Sequence, residues 1–280
     1  MPHLATDDAV KLHYEEAGSG FPIVFVHEFA GDLRSWEPQL RYFSRTYRCI
    51  AFNARGYPPS DVPEDPGMYS YLRATADIVA IMRGLRIDLA HIVGLSMGAY
   101  ATLNLGMRHP GLVRSLVVAG CGYGAEPARQ AAFVQQSGVT AELFESRGSA
   151  VAAETYANVP ARLSYLKKDP RGWAEFLDRL KGHSAVGATL TLRGVQMRRP
   201  SLWDLVEDMR KIEAPTLIVT GDDDDPCLEP GLLMKRSIPG AGLLVLPRGG
   251  HAINLEEPEA FNRALAEFFL AVEQERWFLE

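Results

Sequence analysis

The sequence predicts a doubly wound α/β fold, with a mostly parallel β-sheet covered by helices on both faces. Short apolar runs without alternation recur along the chain, and segments of helical periodicity separate them. A strand that is apolar at every position is buried on both faces, as in a parallel sheet, and the alternation with helices is how such a sheet is wound. The third observation is Gly94-Leu95-Ser96-Met97-Gly98, a serine between glycines at a strand-to-helix junction. In this architecture sites form at the carboxyl ends of strands.

Taken in order, Val10 to Glu16 alternates apolar and polar residues like a half-exposed strand, and Asp7-Asp8 can turn it back on His3 to Thr6. Fully apolar runs follow at 23–26, 49–52, 91–93, 116–119, 216–219 and 243–246, which brings the expected sheet to eight strands. Helical patterns occupy 71–85, 99–108 and 258–272. Between Ala119 and Thr216 the rhythm breaks. Residues 122–203 look mostly helical, with Phe133, Phe144, Tyr156, Tyr165, Trp173, Phe176, Met197 and Trp203 at helix-like intervals. Each alone reads as the core of a small helical subdomain; together they allow a lid that leaves a strand's carboxyl end. The expected organisation is a core of residues 1–121 and 204–280, with a helical cap of residues 122–203.

Composition narrows the functional classes. The 280 residues are 47% hydrophobic and 23% charged with a net charge of -6, an ordinary globular balance with no expected phosphate-tracking basic face. Nucleic-acid binding is therefore not expected. No apolar stretch is long enough to cross a bilayer and the start lacks a secretion signal, so a cytoplasmic location is expected, with no membrane partner. Cys49, Cys121 and Cys227 are three and form no CxxC, which fits reduced, buried thiols better than a disulfide framework or a zinc site.

The chemistry starts from Ser96. A sharp strand-to-helix turn leaves room only for hydrogen at its flanks and forces the side chain between them outward. A hydroxyl is a weak nucleophile at neutral pH, so it needs a base, and the base needs an acid to fix its tautomer. Among seven histidines, His251 follows Gly249-Gly250 after the last strand, at the same sheet edge as Ser96. His91, His109 and His183 read as structural or solvated. For the acid, Asp222-Asp223-Asp224-Asp225 follows the 216–219 strand; adjacent carboxylates mostly seek water, and one of the four is expected to reach His251. No metal site is expected, because adjacent side chains cannot all converge on one ion.

These residues resemble those of α/β-hydrolase-fold enzymes over about residues 10–269. The likeness rests on Gly94 to Gly98, Val26-His27-Glu28-Phe29-Ala30-Gly31 with Trp36 following, Asn53-Ala54-Arg55-Gly56-Tyr57, Gly221 to Asp225, and Gly250-His251. The order serine, acid, histidine is the family's. The resemblance implies Asp224 as the acid, with Asp225 as the alternative, and an oxyanion hole made by the Met97 and Phe29 amides. It implies a cofactor-free serine hydrolase for a small ester or lactone. Carbon-carbon hydrolysis or peracid formation could use the same triad, and a ligand receptor of the same fold is the alternative from another class. Epoxide and haloalkane hydrolases carry aspartate where this chain has Ser96. One position departs from the pattern: the family has His-Gly where this chain has His27-Glu28. Glu28 either points to solvent or pairs with an arginine such as Arg55, or it serves as an accessory carboxyl group at the pocket rim. Tyr123, Trp173 and Trp203 are the aromatic candidates for the pocket wall, and the oligomeric state is not legible.

Overall fold

In a computed structural model of the protein, which describes residues 2–278, the chain forms one eight-stranded sheet with helices on both faces. In chain order the elements are β1 (His3–Ala5), β2 (Lys11–Ala17), β3 (Pro22–Val26), α1 (Glu37–Phe43), β4 (Arg48–Phe52), α2 (Tyr71–Gly84), β5 (Ala90–Leu95), α3 (Met97–Arg108) and β6 (Val113–Ala119). They continue with α4 (Pro127–Ala157), α5 (Pro160–Lys168), α6 (Pro170–Lys181), α7 (Ala185–Thr191), α8 (Val206–Met209), β7 (Thr216–Gly221), α9 (Leu228–Ser237), β8 (Ala241–Leu246), α10 (Ile253–Glu256) and α11 (Pro258–Glu273). The strand order is β1-β2-β4-β3-β5-β6-β7-β8. The first hairpin is antiparallel, as is the pairing of β2 with β4; every pairing from β4 to β8 is parallel.

The apolar runs are explained by a core on each side of the sheet. In β3, Val24 and Val26 pack on one face with Ile78 and Met82 of α2, while Ile23 and Phe25 pack on the other with Phe43 of α1 and Phe269 of α11. Successive side chains point to opposite faces, so a strand with no polar position feeds both cores. Each such buried side chain contributes about 1.5–3 kcal/mol relative to exposure. The parallel strands end together, which lines up the loops after β3, β5, β6, β7 and β8 along one edge.

The segment between β6 and β7 is helical, with α4, α5, α6, α7 and α8 and no strand among its described residues. Within α4 the helix breaks at Gly148, whose φ of 75° and ψ of 170° are not helical and need the freedom of glycine. Among the described residues no helix is long and apolar enough to cross a membrane.

Candidate active site

Ser96 stands between β5 and α3 with φ 55° and ψ -111°. A side-chain-bearing residue at positive φ stores strain of order 1–3 kcal/mol, and here the turn has no alternative. A Cβ on Gly98 would lie 2.2 Å from the Val26 carbonyl oxygen, and one on Gly94 would lie 2.4 Å from the Gly98 carbonyl oxygen. The two glycines thus let α3 start directly against the end of β3. Ser96 N–H is anchored by the Ala119 carbonyl at 2.8 Å, leaving the side chain half-buried at the sheet edge.

The structure brings Ser96, His251 and Asp224 together. The Ser96 hydroxyl lies 2.8 Å from His251 Nε2, and His251 Nδ1 lies 2.7 Å from Asp224 Oδ2. Because a carboxylate only accepts, Nδ1 carries the proton and Nε2 is free to accept from Ser96. Asp224 is fully buried, whereas Asp222, Asp223 and Asp225 are exposed, and Asp225 pairs instead with Arg129 at 3.0 Å. The turn that selects it is closed by Asp224 N–H on the Gly221 carbonyl and Cys227 N–H on the Asp224 carbonyl. Burial would raise the Asp224 carboxyl, but His251 against it prevails and holds it below the ordinary value. Asp224, Cys227 and His251 also form the one three-donor group among the described residues that could hold a metal ion. In the structure His251 Nδ1 and Asp224 Oδ2 of this group are joined by their hydrogen bond at 2.7 Å, which an ion bound to both would have to replace.

Two backbone amides near this end of the sheet, one next to the serine in sequence and one in the loop after β3, have no partner. Among the described residues, nothing accepts a hydrogen bond from Met97 N–H or Phe29 N–H. Met97 opens α3, where first-turn amides are unpaired and the helix dipole is positive. Phe29 lies in the loop after β3, and that loop is held from several sides. The Tyr57 hydroxyl donates to the Phe29 carbonyl at 2.9 Å, and the Ala54 amide donates to His27 Nε2 at 3.0 Å. His27 Nδ1 therefore donates to the Glu28 carbonyl at 2.7 Å. Burial pulls the His27 ring down to about 4, so it is neutral at pH 7, and with both ring nitrogens bound to backbone groups it supports the loop.

Glu28 is buried and bridged through both oxygens to Arg162 of α5, which corrects the expectation of Arg55 as its partner. Arg55 is held by Asp8 and Asp77 instead. Burial would raise the Glu28 carboxyl, but the Arg162 guanidinium outweighs it and keeps it below its usual value. Helix α5 also reaches the histidine loop: His251 N–H donates to the Ala161 carbonyl at 2.7 Å, and the Ser164 hydroxyl donates to Glu256, which accepts from Gly250 N–H at 2.9 Å. One helix thus grips both the loop after β3 and the loop that carries His251.

Of the three aromatic candidates, Tyr123 alone meets the triad, its ring edge-on to His251 at 4.8 Å between centroids. Trp173 is buried in a helical cluster with Tyr165 and Phe176, and Trp203, partly buried, packs against the sheet core. Sequence reasoning gave no individual role to Tyr57, Tyr156, Arg162 or Arg199. Tyr57 had a signal in the Asn53 to Tyr57 stretch and Tyr156 in the aromatic spacing of residues 122–203, whereas the two arginines had none.

A model of the alpha/beta hydrolase family matches residues 23–264. The chain belongs to this family. Its relatives include a 2-hydroxy-6-oxo-6-phenylhexa-2,4-dienoate hydrolase of Burkholderia cepacia, 26% identical over 290 positions that cover 92% of this chain and 91% of the relative. Among solved hydrolases, an esterase (EaEST) from Exiguobacterium antarcticum superposes with a TM-score of 0.81 at 25% identity, covering 95% of this chain and 98% of its own. An enol-lactonase from Burkholderia xenovorans LB400 has a TM-score of 0.83 at 23% identity, covering 96% and 100%, and shares the fold. As a member of the hydrolase family, the chain is an enzyme whose relatives act on small molecules.

The carboxylates held low in the folded protein link its stability to pH. Asp224, Glu28, Asp32 and Asp8 all lie below their ordinary values. A depressed folded value gives stability that is present above the unfolded value, about 4, and is lost as pH falls through the folded one. Asp77, pushed up to about 6 by burial despite Arg55, acts in the opposite sense between pH 6 and 4. The melting temperature is expected to fall steadily below about pH 4 in scanning calorimetry, where the first group dominates.

Proposed function

We propose that this hydrolase cleaves small carboxylic esters or lactones through an acyl-enzyme on Ser96, without a cofactor. The observation that carries the reading is the unbroken chain Asp224–His251–Ser96 beside two unpaired amides. In the proposed reaction Ser96 Oγ attacks the acyl carbon while His251 Nε2 takes its proton, and Asp224 steadies the imidazolium that forms. The developing oxyanion is received by the Met97 and Phe29 amides, with the dipole of α3 behind the first. His251 returns the proton to the leaving oxygen, then activates water to release the acid. Residues 122–203 act as a cap: α4 sets Phe144 and Tyr156 against the Phe29 ring at 6.0 and 5.1 Å and limits water at the oxyanion.

The Burkholderia cepacia relative favours a second reading, carbon-carbon bond hydrolysis on the same three residues. The experiment is turnover of p-nitrophenyl esters from acetate to octanoate; no turnover across the series would remove the esterase reading, and the dienoate tested beside it decides the second. A ligand receptor of the same fold would bind such esters with no burst of alcohol release.

The role of Asp224 is checked by Asp224→Asn, which leaves the shape but turns His251 to the wrong tautomer. The expected loss is on the order of 10^4 in kcat. Asp225→Asn is expected to keep kcat within about 2-fold, since that side chain is a solvated surface partner of Arg129.

A further inference from the structure

Arg199 is buried, 9% exposed, and among the described residues no carboxylate lies within ion-pair distance of it. Its Nη2 donates to the Tyr123 carbonyl, while Nε and Nη1 donate to no described residue and neither is among the sealed polar atoms. The guanidinium lies 5.0 Å from the centre of the Tyr100 ring and 5.1 Å from that of Phe133. A buried guanidinium is normally matched by an acid, because an uncompensated charge is costly away from water. Burial without one pulls this group below its ordinary value. The other buried arginine nearby, Arg162, is already neutralised by Glu28.

Its neighbours place Arg199 beside the candidate active site. Tyr123, whose carbonyl it holds, packs its ring on His251, and Tyr100 stands four residues beyond Ser96 on α3, about 6 Å along the helix. The segment is fixed directly after Arg199. The Tyr100 hydroxyl donates to the Pro200 carbonyl at 2.8 Å, and the Ser201 hydroxyl donates to the Ala125 carbonyl. A cation held this firmly, with forked donors to spare, suits a planar anion that accepts two parallel hydrogen bonds. One uncompensated guanidinium matches a single negative charge, which favours a carboxylate over a doubly charged phosphate monoester.

We propose that Arg199 binds a carboxylate of the substrate, so that the preferred esters or lactones carry an anionic group a few bonds from the scissile carbonyl. The proposal rests on the ester-hydrolase reading of Ser96, and its test separates the two. Two esters of matched acyl length are compared, 4-nitrophenyl hydrogen adipate and 4-nitrophenyl hexanoate. Wild-type protein is expected to favour the adipate in kcat/KM by at least 10-fold. Arg199→Gln is expected to lower that ratio by roughly 10- to 100-fold, the range of a hydrogen bond to a charged group, and Arg199→Lys by less.

Because Arg199 also packs on aromatic rings, a binding measurement with Arg199 intact accompanies the kinetics. Adipate titrated calorimetrically into the full-length Ser96→Ala protein is expected to bind, and dimethyl adipate to bind at least 10-fold more weakly. Wild-type protein that shows no preference for the adipate ester, or a Ser96→Ala protein that binds the diester as well as the diacid, overturns the proposal. If neither ester is turned over through Ser96, the hydrolase reading fails, and the adipate titration alone decides the anion site.

Discussion

Replacing Ser96 by alanine is expected to lower kcat for the best p-nitrophenyl ester by roughly 10^6-fold, about 8 kcal/mol of barrier. The size follows from the division of labour in the site. His251 Nε2 has one hydrogen-bond partner toward the pocket, the Ser96 hydroxyl at 2.8 Å, and Asp224 is spent on orienting the ring. Without the hydroxyl no covalent intermediate forms on that side chain, and what survives is the stabilisation proposed for the Met97 and Phe29 amides, acting on a water. The fold should be indifferent to the change, because Ser96 is half-buried and its backbone, not its side chain, is anchored to Ala119. Steady-state kinetics of the two proteins, with circular dichroism to show equal folding, checks this. A Ser96→Ala enzyme within 10-fold of wild type would mean that another group does the chemistry.

The largest expected effect on stability belongs to Glu28 and Arg162. Both side chains are almost fully buried and each oxygen of Glu28 faces a nitrogen of Arg162, so removal of either charge strands the other in a low-dielectric setting. Glu28→Gln and Arg162→Met are each expected to destabilise by about 3–5 kcal/mol in urea unfolding, whereas the double variant should cost markedly less than their sum. Activity should follow. Glu28 precedes Phe29, whose amide is proposed to hold the oxyanion, and Arg162 follows Ala161, whose carbonyl holds the His251 amide at 2.7 Å. A displacement near 1 Å at either loop can cost about 100-fold, so kcat should fall more than KM rises. Additive singles of less than 1 kcal/mol would show that the pair does not tie the cap to the site.

The sheet was legible because parallel strands leave a plain mark: β3, β5 and β6 carry no polar alternation since both faces are covered. Ser96 and His251 were legible for a different reason. A glycine-flanked serine and a glycine-preceded histidine after strands are local features, written in adjacent residues. Asp224 could be chosen over its three neighbours only by resemblance, because four aspartates have the same chemistry and only the turn closed on Gly221 decides which one faces inward. The partner of Glu28 was not legible at all. Arg162 lies 134 residues away, on α5, whose placement depends on tertiary packing, and no local pattern links the two. The same long-range packing turned Trp173 and Trp203 into core residues and brought Arg199, unremarkable in the sequence, under Tyr123.

The glutamate in place of glycine thus has a physical account. An ionised carboxylate beside a developing oxyanion would oppose the reaction, but this one is turned toward α5 and neutralised by the Arg162 guanidinium. Its side chain trades the small volume of glycine for a tether between the loop after β3 and α5.

The central claim is that Ser96 is the nucleophile, activated by His251. Its most direct test is labelling of the full-length protein with a fluorophosphonate, followed by peptide mapping by mass spectrometry. One adduct per chain is expected, on the peptide that contains Ser96, formed rapidly in wild type and at least 1000-fold more slowly in His251→Ala. An adduct on another residue, or none at all, would contradict it.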